Sequence, residues 1–413
     1  MKRFLAFAGL VMATLALARV QAVQRIVIIG DSTVSTYAGS KYPWAGWGQE
    51  LALFFKSGTV TVVNKAVGGR SSKSFVTLGQ WEGTLAELKA GDILMIQFGH
   101  NDRTFSDTVR YADTATYRKY LTKYVVEARA KGVHPVFVTP VNMNTWSNAG
   151  GRRVFTEGAN DYRGAMIRAG ANLKVPVLDL ELKSKTLMDS CTSAYLAKFN
   201  FMGLDAGEYP NYATGYADGT HFQEMGALAN ARMVTEEIAR QPNDSILKLL
   251  APLLAPTYAV SVKSTLASGD TLTRSTRLPA GATVTVKIKP AKGKAFKHWL
   301  DEKGVVRTTG KRLTYVQDTS NHAFVAIYDG VTVEATGKVP QTTGLRARNV
   351  GSSWGLQCDR DAGEVVVRDV RGLAIRRIAS LESNHRFELG GLPAGAYVAT
   401  SAALGSTIRF TVR

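Results

Sequence analysis

The chain is 413 residues long, enough for two to three domains at about 150 residues each. Its 45% hydrophobic and 20% charged residues lie near the averages of folded soluble chains, which excludes wholesale disorder and a multi-span membrane protein. Two Cys exclude a disulfide scaffold and a Cys-based zinc site, and the net charge of +18 favours anionic partners. That charge is uneven: residues 23–256 carry 25 Lys plus Arg against 21 Asp plus Glu, whereas residues 257–330 carry 12 against 5.

Lys2 and Arg3 precede an almost wholly apolar run at residues 4–18, and Val20-Gln21-Ala22 supplies a small-x-small cleavage site. Residues 1–22 are therefore expected to be a secretory signal peptide, and the mature chain to be secreted or held at the cell surface. The run falls short of the roughly 20 residues that span a bilayer and Arg19 ends it, so no stable membrane insertion is expected. An exported protein rarely meets nucleic acid as its target, and none is expected here.

Residues 25–29 (Arg-Ile-Val-Ile-Ile) form the β-branched run of a buried parallel strand, followed at once by Gly30-Asp31-Ser32-Thr33. Similar runs at residues 59–64, 93–98, 135–139 and 175–178 alternate with helical spacing at 81–89, 117–131 and 159–171. A last helix is predicted over 224–240. Strands alternating with helices predict an α/β domain with a parallel sheet over residues 23–241. Residues 242–257 read as a linker. Short alternating stretches at 258–263, 283–289, 313–316 and 323–328 predict a small all-β module over 258–330, with Phe296, His298 and Trp299 as its aromatic core candidates. Residues 331–343 read as a second linker, and 344–413 as another β-module, a sandwich.

Four local features of the first domain carry chemistry. Ser32 sits where open parallel sheets place their active sites, and is the candidate nucleophile. The pair Gly68-Gly69, after the second strand, lets the backbone approach a ligand and point an N–H at it. Asn101, in Gly99-His100-Asn101-Asp102 after the third strand, offers an amide to a developing oxyanion. Asp218-Gly219-Thr220-His221 is spaced so that the carboxylate can orient the imidazole that deprotonates the serine. The same Asp-x-x-His spacing occurs among metal ligands, an alternative that a third protein ligand would have to complete. His100 is expected as a structural hydrogen-bonding residue and Trp47 as core packing.

Gly-Asp-Ser-Thr at 30–33, Gly-Trp-Gly at 46–48, Ala-Val-Gly-Gly-Arg-Ser at 66–71, Phe-Gly-His-Asn-Asp at 98–102 and Asp-Gly-Thr-His at 218–221 occur together and in order. In these residues the chain resembles the SGNH, or GDSL-like, hydrolase superfamily over roughly residues 25–240, and most of all the rhamnogalacturonan acetylesterases of carbohydrate esterase family 12. The resemblance implies a flavodoxin-like three-layer α/β/α domain and a serine esterase with no metal or other cofactor. It implies Ser32 as nucleophile, His221 as base and then acid, and Asp218 as the group holding the imidazole tautomer. The implied oxyanion hole is the N–H of Ser32, the N–H of Gly69 and the Asn101 side chain.

Arg70 is a candidate contact for a carboxylate of the polymer, with a structural ion pair as the alternative. Tyr37, Tyr42 and Trp44 are candidates to stack on sugar rings. Residues 183–217, rich in Tyr and Phe, read as a long loop forming a cleft wall or lid. The middle β-module resembles InlB B-type extracellular repeats, and its +7 charge has two readings, a solvated basic surface or a hold on an anionic chain. The last module resembles type IX secretion sorting domains, which implies the secretion machinery as a partner. The expected activity is removal of O-acetyl groups from plant cell-wall polysaccharide, rhamnogalacturonan or related pectin first. An acetylxylan esterase with the same triad is the nearest alternative. A glycan-binding protein with an idle hydrolase domain is another, and a lysophospholipase or thioesterase a third.

Overall fold

The computed structural model describes residues 23–145, 161–265, 271–288, 295–328, 345–350, 353–358, 364–369, 374–378, 386–389, 395–401 and 406–412. The expected signal peptide (1–22) and second linker (331–343) lie outside the described residues. The chain divides into two compact units, residues 1–332 and 333–413.

The first unit opens with β1 (Gln24–Gly30), β2 (Trp44–Ala45), α1 (Trp47–Glu50), β3 (Val60–Asn64), α2 (Ser72–Thr77), α3 (Gln80–Glu87), β4 (Ile93–Gln97) and α4 (Thr114–Ala130). It continues with β5 (His134–Val138), α5 (Tyr162–Leu173), β6 (Val177–Leu178), α6 (Leu180–Asp189), α7 (Ser193–Phe199), β7 (Phe201–Leu204), β8 (Tyr216–Gln223) and α8 (Glu224–Arg240). Five strands make a sheet in the order β3-β1-β4-β5-β6, every pairing parallel. Both faces of β1 are buried, as its uninterrupted apolar run requires. Ile26 and Ile28 join one core with residues of α1, α6, α7 and α8, while Val27 and Ile29 join the opposite core with residues of α2 to α5. The result is the three-layer α/β/α arrangement expected from the sequence. The winding reverses at β1, which has β3 on one side and β4 on the other, so the carboxyl ends of these three strands frame the crevice where such sheets bind ligands.

Residues 183–217 are not the long loop expected. They hold most of α6, all of α7 and β7, and the start of β8. Thr192 caps α7 by accepting a hydrogen bond from the Tyr195 N–H, and Leu196, Phe201 and Met202 are buried. A separate antiparallel sheet, β2-β8-β7, stands beside the main one.

Residues 242–257 carry short 3-10 turns at Leu247–Leu249 and Ala251–Leu253. Leu247 and Leu250 are fully buried, a three-residue spacing that puts both on one side of such a turn. Beyond them come β9 (Thr257–Thr265), β10 (Thr271–Pro279), β11 (Thr283–Lys287), β12 (Phe296–Leu300), β13 (Val306–Thr308), β14 (Arg312–Val316) and β15 (His322–Tyr328). Their sheets run β10-β9-β15-β12-β13 and β11-β14. Trp299 is fully buried, and with Val260, Leu278 and Val284 it belongs to the same continuous apolar core as Leu228 and Val234 of α8. This all-β module is therefore welded to the α/β layers along α8.

The second unit contains β16 (Leu345–Val350), β17 (Ser353–Cys358), β18 (Val365–Asp369), β19 (Ala374–Ile378), β20 (Arg386–Glu388), β21 (Gly395–Ser401) and β22 (Ser406–Val412), in two antiparallel sheets, β16-β17-β20 and β19-β18-β21-β22. No helix among the described residues is long and apolar enough to cross a membrane.

Candidate active site

The chain leaves β1 through a tight turn in which the N–H groups of Val34 and Ser35 both donate to the Asp31 carbonyl, at 3.2 Å. This turn lifts Ser32 to a half-buried position at the end of the sheet. The Asp31 side chain is fully buried beneath it and accepts from the Thr33 N–H (2.9 Å) and hydroxyl (2.7 Å). Its second oxygen meets His100 Nδ1 at 3.1 Å, and His100 Nε2 lies 2.9 Å from the Val141 carbonyl. Burial alone would raise the Asp31 carboxyl, but the imidazole and the Thr33 donors hold it below the usual carboxylate range. His100 thus has the structural role expected of it. Trp47 is buried as expected, its indole N–H donating to Gln97 Oε1 (2.8 Å), while Gln97 donates to the Thr33 hydroxyl (2.7 Å). The Gly-Trp-Gly motif backs this turn: a Cβ on Gly46 would lie 2.3 Å from the Ser35 carbonyl oxygen, so only glycine fits.

His221 arrives from the other sheet. Phe201 pairs with Phe222, but the next residue, Met202, pairs with Asp218, so Gly219, Thr220 and His221 bulge out of β8 without partners on β7. Asp218 organises the bulge. Its Oδ1 accepts from the N–H groups of Thr220 (2.6 Å) and His221 (3.1 Å), and its Oδ2 lies 2.6 Å from His221 Nδ1. His221 Nε2 lies 2.8 Å from Ser32 Oγ. Burial would raise the Asp218 carboxyl, but the imidazole and the two N–H donors hold it below its ordinary value, so it is an anion at neutral pH. The structure therefore brings Ser32, His221 and Asp218, up to 189 residues apart, into one hydrogen-bonded line.

Gly69 adopts φ +75°, a left-handed conformation that favours glycine, and a Cβ on Gly68 would lie 3.7 Å from Ser32 Cβ, which sets this loop against the serine. Asn101 Nδ2 donates to the Arg70 carbonyl (2.9 Å), and Arg110 Nη1 reaches Asn101 Oδ1 at 3.4 Å. These two contacts fix which end of the amide is the donor and leave its second N–H available. The same loop is tied to β3's by Asp102, fully buried, which accepts from the Ser72 N–H at 3.0 Å; burial pushes its carboxyl up to about 7. Asn101→Ala is expected to lower kcat about 10²- to 10³-fold, the usual cost of one oxyanion donor, with the melting temperature little changed. Steady-state kinetics on a nitrophenyl acetate, alongside thermal melting, check it; activity near wild type would remove Asn101 from the site.

The four residues expected to touch substrate fall in different places. Trp44 packs tilted against the imidazole, its ring centroid 4.6 Å from that of His221, and Tyr37 lies 5.4 Å from Trp44. Tyr37 also donates its hydroxyl to the Ser32 carbonyl (2.7 Å), and burial raises that hydroxyl so that it keeps its proton. Tyr37 is a brace for the nucleophile turn rather than a free sugar platform. Arg70 Nε donates to Gln80 Oε1 at 3.2 Å. Tyr42 hydrogen-bonds Glu224 (2.9 Å) and packs edge-on to Tyr209. Sequence reasoning missed Tyr216 and Tyr212, which continue the aromatic row from Trp44 at successive centroid spacings of 5.6 Å. Their only sequence signal was membership of an aromatic-rich stretch. Arg110, which orients Asn101, carried none. Among the described residues no three His, Cys, Asp or Glu side chains converge as a metal site requires.

The sequence matches the GDSL-like Lipase/Acylhydrolase family over residues 28–228. It is 40% identical over 214 residues to the rhamnogalacturonan acetylesterase RhgT of Bacillus subtilis, covering 52% of this chain and 89% of that protein. It is 36% identical to the probable rhamnogalacturonan acetylesterase YesY of the same organism, covering 54% of this chain and 97% of that one. The crystal structure of the YxiM protein of B. subtilis superposes with a TM-score of 0.45 at 26% identity, covering 54% of this chain and 57% of that chain.

Proposed function

Because the chain belongs to the GDSL-like lipase/acylhydrolase family of carboxylic ester hydrolases, we propose that it removes O-acetyl groups from rhamnogalacturonan. The observation that carries this reading is the Ser32–His221–Asp218 line, with contacts of 2.8 and 2.6 Å, at the crevice of a parallel sheet. Ser32 Oγ attacks the acetyl carbonyl while His221 Nε2 takes its proton. The Ser32 and Gly69 N–H groups and the Asn101 amide receive the oxyanion. His221 then returns the proton to the departing sugar oxygen, leaving an acetyl-serine, and next activates the water that releases acetate. Asp218 keeps the Nδ1 proton in place and stabilises the imidazolium. No metal or cofactor enters these steps. The two acetylesterase relatives support the pectic substrate, and Arg70, whose carbonyl accepts from Asn101 and whose Nε donates to Gln80, is the cation nearest in sequence to the Gly69 oxyanion donor for a galacturonate carboxylate.

Acetate release from acetylated rhamnogalacturonan and acetylxylan, measured side by side, tests the reading. Release from the pectic polymer supports it; release from xylan alone moves the substrate; release from neither, by folded protein, favours a binding role. The row Trp44, Tyr216, Tyr212 is the surface on which the sugar lies. Tyr216→Ala is expected to raise KM on polymer several-fold while leaving nitrophenyl acetate hydrolysis unchanged. Equal kinetics on both substrates would remove Tyr216 from the subsite. Residues 1–22 are the export signal and the last β-module an address for type IX secretion in the same reading. Lys2 and Arg3 before the apolar run at 4–18 support the first, the Gly-Leu-Pro-Ala-Gly-Ala-Tyr-Val stretch at 391–398 and Ser-Thr-Ile-Arg-Phe-Thr-Val at 406–412 support the second, and the mass of protein recovered outside the cell tests both.

A further inference from the structure

We infer that the β-module over residues 257–328 is a working part of the site: Lys287 and Arg312 clasp the β7–β8 hairpin and thereby hold His221 in line with Ser32. The inference rests on the esterase reading above. The hairpin gains from such support, because residues 219–221 have no partners on β7 and are held locally, by the Asp218 carboxylate and by the Asn144 N–H, which donates to the Gly219 carbonyl (2.7 Å).

The clasp acts at both ends of the hairpin. At its tip, Lys287 Nζ forms an ion pair with Glu208 Oε1 at 2.7 Å, and Arg312 Nη1 donates to the Glu208 carbonyl at 3.2 Å. The Tyr209 ring lies within reach of both cations, 4.8 Å from Lys287 Nζ and 4.4 Å from the Arg312 guanidinium carbon, and is only 2% exposed. At its root, the same Lys287 donates to Gln223 Oε1, two residues beyond His221 on β8. Gln223 is itself a buried hub: its amide donates to the carbonyls of Lys198 (3.0 Å) and Phe201, and its backbone pairs with Trp44. One ammonium, 9% exposed, thus joins tip to root across the strand that carries the base.

A buried lysine is an expensive way to fill space, since taking it out of water costs more than an apolar side chain would. What it adds is a fixed geometry. Removing it takes the ammonium from Glu208 Oε1 and from Gln223 Oε1, while Glu208 Oε2 keeps the Asp205 N–H at 2.9 Å, and both residues lie on the hairpin rather than on the module. β11 also packs against α7 and α8, the helices on either side of the hairpin in the chain. The family match ends at residue 228, so the clasp comes from chain outside the matched hydrolase region.

The test uses the full-length chain and nitrophenyl acetate, well below the melting temperature. Lys287→Met and Arg312→Met are expected to lower kcat ten- to hundredfold, the range that an ångström of misplacement produces, with KM changed less than about twofold. The downfield proton-NMR signal of the His221 Nδ1–H, held at 2.6 Å from Asp218, is expected to broaden or vanish in both. Arg312→Lys restores a cation over Tyr209 and is expected to recover most of the rate. Phe296→Ala, on β12 with its ring against Trp299 and Tyr328 rather than on the strands that carry the clasp, is expected to lower the melting temperature while keeping kcat and the signal. Retention of kcat and signal in Lys287→Met, or their equal loss in Phe296→Ala, overturns the inference. Should Lys287→Met not fold, the Arg312 pair decides. Wild-type protein that neither hydrolyses the ester nor reacts with a fluorophosphonate overturns the esterase reading instead, and the downfield signal still reports on the clasp.

Discussion

Ser32→Ala is expected to abolish turnover, lowering kcat on polymer and on small esters by on the order of 10⁶-fold while the fold survives. The survival follows from what the hydroxyl touches. Ser32 Oγ meets His221 Nε2, whereas the turn itself is held by backbone bonds to the Asp31 carbonyl and by Tyr37 donating to the Ser32 carbonyl. None of these uses Oγ, so alanine removes the nucleophile alone. The residual rate is what positioning and the oxyanion donors give to attack by water. Kinetics, melting temperature and fluorophosphonate labelling together check it. Labelling lost with the melting temperature kept is the expected pattern; turnover above about one per cent of wild type would mean another nucleophile.

Asp218→Asn carries the next largest effect, about 10⁴-fold in kcat. The carboxylate has two duties: Oδ1 accepts the two N–H groups that shape the bulge, and Oδ2 receives the Nδ1 proton of His221. An asparagine keeps the first duty with its oxygen and must then turn its NH₂ toward Nδ1. Nδ1 becomes an acceptor, the ring proton moves to Nε2, and Nε2 meets Ser32 as a donor. A donor cannot take the serine proton. The variant should therefore fold, bind and stay nearly inactive, with the imidazole tautomer, read by nitrogen-15 chemical shifts, reversed from wild type. A loss smaller than tenfold, or an unreversed tautomer, would deny Asp218 its orienting role. Because the carboxyl lies below its ordinary value in the fold, its contribution to stability is present at neutral pH and is lost only as pH falls below the usual carboxylate range.

The features legible in the sequence were those whose cause is local. The run at 25–29 has the β-branched continuity of a strand buried on both faces, and the serine that follows it is delivered to the sheet's end by the strand alone. Asp218 and His221 are three residues apart, so their pairing needs no knowledge of the rest of the chain. Their setting did not show. That they ride on a three-residue bulge depends on how β8 pairs with β7, and a one-dimensional pattern contains no pairing. Residues 183–217 lack clear periodicity because α7 is short and β7 is buried on a small side sheet, so they read as a loop. Lys287 read as one more charge in a basic segment. Its work is set by residues 64 and 79 positions earlier, which only the docking of β11 brings to it. The leucines at 247 and 250 were hidden by nearby prolines for a related reason: composition suggested a spacer, and spacing, the better guide, spoke for burial.

The bulge in β8 also bears on how chains of this architecture gain and lose activity over generations. Since residues 219–221 have no partners on β7, shortening or lengthening that segment by one residue removes none of the rungs between β7 and β8. The two registers on either side are blind to the change. The carboxylate and the imidazole are not, because their separation along the backbone is what lets one reach the other. A single codon deleted there would yield a protein that folds yet turns nothing over. Catalysis and architecture are thus inherited through different positions of one strand, and a lineage can abandon the first without disturbing the second.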